Sequence, residues 1–116
     1  MVNAKRRRSS ELASLHTDWD VTSNVPTEED EFFDPAELES DESVRRRANA
    51  ALKWVWEREE SAIAVVAHGG LFHKLIHQND KVRAEKAPLR FQNCQLEECS
   101  FRYIQEEDVF ELRFDV

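Results

Sequence analysis

The residues of this chain with the most chemical potential gather in one tripeptide. His68-Gly69-Gly70 holds both glycines of the 116-residue sequence, where average usage would give roughly eight. An imidazole can donate to an oxyanion, and two glycines beside it put no Cβ between an anion and the backbone N–H groups while leaving the chain free to turn sharply. The tripeptide therefore suits a phosphate-sized anion; the plainer reading is a histidine that only caps a strand-to-helix turn. Spacing alone does not choose between the two uses, and the elements around the tripeptide say where it would stand. Ala62-Ile-Ala-Val-Val-Ala67 is apolar without alternation, which predicts a strand over 62–67 buried on both faces inside a parallel sheet. Leu71, Phe72, Leu75 and Ile76 then predict an amphipathic helix over 70–78. His68 would lie at the carboxyl end of that strand, where ligands of α/β sheets meet the N–H groups and positive dipole end of a helix.

Other candidate groups are sparser. His73 and His77 are spaced i, i+4, which can set two imidazoles on one helix face for zinc, or simply leave a solvent-facing pair. No Asp or Glu lies in the same turns and no HExxH pattern occurs, so no metal and no other cofactor is expected. Cys94 and Cys99 fall outside CxxC spacing and read as reduced intracellular thiols, with Cys94 packed at the sheet.

The elements that must position this site follow from periodicity. Val44, Ala48, Ala51, Leu52 and Val55 mark the apolar stripe of a helix over 41–60, with Trp54 and Trp56 on either side of it. One tryptophan at least should reach a neighbouring element. Ser10 to Leu15 reads as a short helical turn capped by Ser10, and 17–40 as a long acidic surface loop pinned by Phe32 and Phe33. Past Pro88, the runs Ser100 to Gln105 and Val109 to Val116 flank Glu106-Glu-Asp108 and read as a hairpin or sheet-edge pair. Helix, buried strand, glycine turn and helix form an α/β signature. The whole of 1–116 is expected to be a single domain.

Charge narrows the partners. Sixteen basic against 24 acidic residues give a net charge of −8, unevenly placed: a basic run at Lys5 to Arg8 and an acid-rich stretch from Glu28 to Glu42. Bulk electrostatics therefore argue against a nucleic-acid or anionic-membrane partner. With 34% charged residues and no apolar segment behind the N-terminal basic run, neither a membrane span nor a secretory signal is expected, and the cytoplasm is the expected location.

Four segments in order carry a family resemblance. They are Glu39-Ser-Asp-Glu-Ser-Val-Arg-Arg-Arg47, Leu52-Lys-Trp-Val-Trp-Glu-Arg58, Ile63-Ala-Val-Val-Ala-His-Gly-Gly70-Leu-Phe72 and Phe91-Gln-Asn-Cys-Gln-Leu96. Together they resemble the C-terminal half of a histidine phosphatase superfamily protein of the phosphoglycerate mutase-like branch. Lys5-Arg-Arg7 followed by Ser10-Glu11 is similar to a basic segment that precedes the acid-rich loop in plant- and fungal-type members. The resemblance implies a partial three-layer α/β/α sandwich with a mostly parallel sheet. It implies phosphoryl transfer to a histidine of an Arg-His-Gly motif and then to water or another hydroxyl. His68 would be the catalytic second pocket histidine that stabilises charge on the transferring phosphoryl. Gly69 would lend its N–H to the same oxygens, and Arg6 and Arg7 would hold an anionic substrate group at the pocket mouth.

The departures from the family pattern limit the activity expected. None of the four histidines stands in Arg-His-Gly, so the nucleophile, its partner arginine, a second phosphate-binding arginine and the glutamate acid have no counterparts here. Binding donors rarely restore covalent catalysis without its nucleophile and acid. Two readings follow. The chain acts on phosphomonoesters or descends from an enzyme that does; alternatively it is a catalytically inactive anion-binding or interaction module on the same scaffold. In either, the partner is a phosphorylated small molecule or phosphate. Without the family's central first strand, segment 62–67 would leave an open apolar edge through which the chain could self-associate.

Overall fold

A computed structural model describes residues 6–18, 20, 27, 34 and 36–115. The chain divides into two compact units, Met1–Ser40 and Asp41–Val116. In the first, helix α1 spans Ser9–Leu15. Its cap is Arg8 rather than Ser10: the Arg8 carbonyl accepts from Leu12 N–H at 3.1 Å, and Ser10 lies inside the helix. Phe32, Phe33 and most of the acidic loop lie outside the described residues.

The second unit is α/β. Helix α2 spans Asp41–Trp56, helix α3 Gly69–His77, and strands β1, β2 and β3 are Val82–Glu85, Ser100–Ile104 and Val109–Arg113. Asp41 and Glu42 in its first turn and Lys53 in its last match the dipole of α2. It stops at Trp56, short of the expected residue 60, because Glu57 to Glu60 bring no apolar side chain to the core. Instead the Arg58 guanidinium bonds the Glu60 carboxylate, two residues on, a spacing whose side chains diverge on a helix. Trp56 reaches β2 with its ring edge-on to Phe101 at 6.0 Å, while Arg58 covers Trp54 at 5.0 Å.

The sheet order is β1-β3-β2, with β1 parallel and β2 antiparallel to β3. The hairpin expected from the two C-terminal runs is β2–β3. Register sorts side chains by face: Val82 and Phe101 align with Phe110 and Leu112 as part of one apolar face. That face, with Ile76 of α3 and Leu52 of α2 against it, is the core. The opposite face is charged. Arg102 pairs with Glu111 at 2.9 Å and Arg113 with Glu85 at 3.3 Å, the arrangement of a sheet with one solvated side.

Two expectations change here. The sheet is mixed rather than mostly parallel, because the strand expected to lie within it is not one. Residues 62–67 belong to no helix or strand, and Val65 and Val66 are 58% and 94% exposed. A strand exists only through hydrogen bonds to a neighbour, and among the described residues none pairs with this segment. It is consequently exposed chain rather than a sheet edge. The strand that does pair in parallel, β1, is the one the apolar pattern did not mark.

Candidate functional site

The site is built at the start of α3. His68 is its N-cap, with extended backbone (φ −74°, ψ 148°), and its carbonyl accepts from the N–H groups of Leu71 at 3.0 Å and Phe72 at 3.1 Å. Its imidazole makes no capping hydrogen bond and is exposed. The N–H groups of Gly69 and Gly70 precede the first intrahelical bond, so they belong to the set a helix leaves for outside acceptors. An exposed imidazole and two such donors at the positive end of a helix are a physical basis for anion binding.

The glycines act differently from each other. Neither has positive φ, so the sharp turn expected of them is not made; ordinary helical backbone suffices. Close approach is realised at Gly69, but by the protein's own chain. A Cβ there would stand 2.7 Å from the Phe91 carbonyl oxygen, well inside ordinary contact. Gly70 has nothing within 4 Å of where its Cβ would lie.

The segment carrying Phe91 is fastened along the same helix. The Phe91 ring lies against Phe72 with centroids 4.8 Å apart. His73 Nδ1 is 3.2 Å from the Leu89 carbonyl and His77 Nε2 is 2.9 Å from that of Pro88. A carbonyl only accepts, so both ring nitrogens carry the proton. The two histidines are thus not idle on the surface: each is tied through one ring nitrogen to the backbone of the Pro88–Leu89 segment, and no group of three or more metal-ligating side chains occurs among the described residues. Lys74 ties α3 to the start of α2 through Asp41 at 2.9 Å. That hydrogen bond and the ammonium charge hold the Asp41 carboxyl below its usual range.

The remaining expected residues belong to other segments of the chain. Arg6 and Arg7 belong to the first unit, where one Arg6 Nη donates to the Thr27 carbonyl at 3.1 Å and another to Arg7 O at 2.9 Å. Cys94 is not packed at the sheet; it is exposed in a turn with φ 61°. The half-buried thiol is Cys99, which packs against the core and is pushed up in pKa by burial and by the Glu98 charge. Pattern reading missed the Pro88 to Phe91 segment, although the i, i+4 histidines and the lone glycine pair both marked the face it occupies.

Comparison with known proteins places this geometry in a family. A family model of the histidine phosphatase superfamily, branch 1, matches residues 6–111. A phosphoglycerate mutase-like protein of Arabidopsis thaliana is 31% identical over 96 residues, covering 79% of this chain and 35% of that protein. Phosphoglycerate mutase-like protein 1 of the same plant is 36% identical over 96 residues, 79% of this chain and 34% of that protein. The chain spans about a third of the length of these relatives. No solved structure matches it.

Proposed function

The chain belongs to the histidine phosphatase superfamily, branch 1, and from that premise we propose that His68 and Gly69 form the phosphate-holding part of a site for phosphomonoesters. The observation that carries this reading is the exposed His68 imidazole, unspent in capping, at the N-terminus of α3. The imidazole N–H and the Gly69 N–H donate to phosphoryl oxygens, where they are preorganised to stabilise developing charge. The ligand is a phosphorylated small molecule; a net charge of −8 supports neither a nucleic-acid nor an anionic-membrane partner. No helix among the described residues is long and apolar enough to cross a membrane, and we place the protein in the cytoplasm. The exposed apolar segment 62–66 supports self-association of this chain.

A second reading is favoured by one observation, the absence of Arg-His-Gly around any of the four histidines. Without a nucleophile the same site binds a phosphate group and does not turn it over. Purified chain and the His68→Ala variant, assayed with p-nitrophenyl phosphate and by melting in vanadate, separate the two. Turnover that disappears in the variant establishes the enzyme. A vanadate-dependent rise in Tm without turnover, lost in the variant, establishes the binding module. A folded chain showing neither signal refutes the site.

A further inference from the structure

Resting on the reading of His68 and Gly69 as an anion site, we propose that His73 and His77 are positioning residues, which pin Pro88 to Phe91 along α3 and thereby fix the backbone that follows His68. The attachment points on the helix are Gly69, Phe72, His73 and His77. Their spacing, i, i+3, i+4 and i+8, puts all four on one face. The partners run in the opposite direction: Phe91 meets Gly69 and Phe72, Leu89 meets His73, and Pro88 meets His77.

The lengths agree. From Gly69 to His77 the helix rises about 12 Å at 1.5 Å per residue. Three residues of chain reach at most about 10–11 Å, less with the bend at Leu89, and the imidazole arms make up the rest. The segment is four residues long and is held at Pro88, at Leu89 and at Phe91, so little free chain lies between its attachments. Moving its His77 end therefore moves its Phe91 end, where the carbonyl oxygen already occupies the space a Cβ on Gly69 would need. Backbone against backbone transmits that shift to the Gly69 N–H, one residue from His68. The two imidazoles act through the segment and do not themselves touch the anion.

The test begins with ring tautomers. Near pH 9, where imidazoles are neutral, long-range proton–nitrogen correlation of the full chain should show His73 protonated on Nδ1 and His77 on Nε2. The opposite assignment for both overturns the proposal. The double variant His73→Ala/His77→Ala should keep the amide protection of β2 and β3, shift the Gly69 and Leu71 amide resonances, and weaken vanadate binding on the order of ten- to a hundredfold. His77→Gln, which restores an N–H donor, should recover part of that loss.

Unchanged Gly69 and Leu71 resonances in the double variant overturn the positioning role whatever the anion does. Shifted resonances in a protein whose wild type shows no response to vanadate refute the anion site and leave the coupling standing. Should the double variant fail to fold, Gly69→Ala probes the same coupling from the other end. It should displace Phe91 and shift the His73 and His77 ring signals, and its silence there overturns the proposal.

Discussion

Adjacent glycines of one sequence motif should respond in opposite directions to the same substitution. At Gly70, replacement by Ala meets nothing within 4 Å and no positive φ. The gain is the reduced freedom of the unfolded chain together with better helix propensity, up to roughly 0.5–1 kcal/mol. At Gly69 the same gain applies, but the new Cβ starts 2.7 Å from the Phe91 carbonyl oxygen. Ordinary C···O contact lies near 3.3–3.6 Å, so helix or segment must yield by about 0.6–0.9 Å. The obstacle is a main-chain atom of a segment tied by the Phe91 ring to Phe72 and by two hydrogen bonds to His73 and His77, and it has no rotamer to escape into.

Forced expansion of a packed contact costs about 1–3 kcal/mol. Because the propensity gain is common to both sites, this cost is also the expected gap between the two variants. A unit of this size shifts its Tm by about 4–8 °C per kcal/mol, so Gly70→Ala should melt above Gly69→Ala by at least about 4 °C. Urea unfolding at constant m should give the same order. Equal stability of the two variants would refute the claim that Gly69 is a close-approach glycine, and with it the physical basis of the fastened segment.

Two further outcomes test the frame around the site. Asn79 is buried, donating to Asn49 Oδ1 at 2.7 Å and accepting from Lys81 N–H at 3.0 Å; Asn79→Ala strands both partners and should cost about 1–3 kcal/mol in urea unfolding, and a loss below that range would mean that water replaces the amide. Asp108 has its carboxyl held below 3.8, first by the Tyr103 hydroxyl and then by Lys81. A depressed folded-state value stabilises the fold above about pH 4 and loses that contribution as pH falls through the folded value. Asp108→Asn, which the φ of 54° tolerates, should flatten the acid limb of the urea midpoint below about pH 4; limbs of equal slope would exclude Asp108 from that transition.

Elements that carry their own pattern were legible from the residues alone. The stripe from Val44 to Val55 marks α2 because a helix closes its hydrogen bonds within itself, and its end moved only where Glu57 to Glu60 stop contributing to the core. The β2–β3 hairpin was readable because its partner runs are adjacent and joined by a polar turn. Strand β1 was not readable. Val82-Arg-Ala-Glu85 is short and half charged, and only register against Phe110 to Arg113 puts Val82 and Ala84 on the core side. In the site, the placing of His68 at a helix start was legible from the apolar residues that follow it. The use of Gly69 was not: a bare backbone announces that something comes close, and here a segment some twenty residues on supplies it.

The same distinction explains segment 62–67. An apolar run with a β-branched centre encodes the need for burial, which is a property of the segment, but a strand is a relation between two segments. Among the described residues nothing pairs with Ile63 to Val66, and those side chains are exposed. Even so, α3 begins at Gly69 with His68 as its cap, so the helix does not depend on a strand before it. What orders its first turn is the fastened segment behind it, through Phe91 at Gly69 and Phe72. The geometry immediately after His68 can therefore persist while the segment before it is unpaired. This is why an anion-dependent Tm shift is a fair test of this chain as it stands.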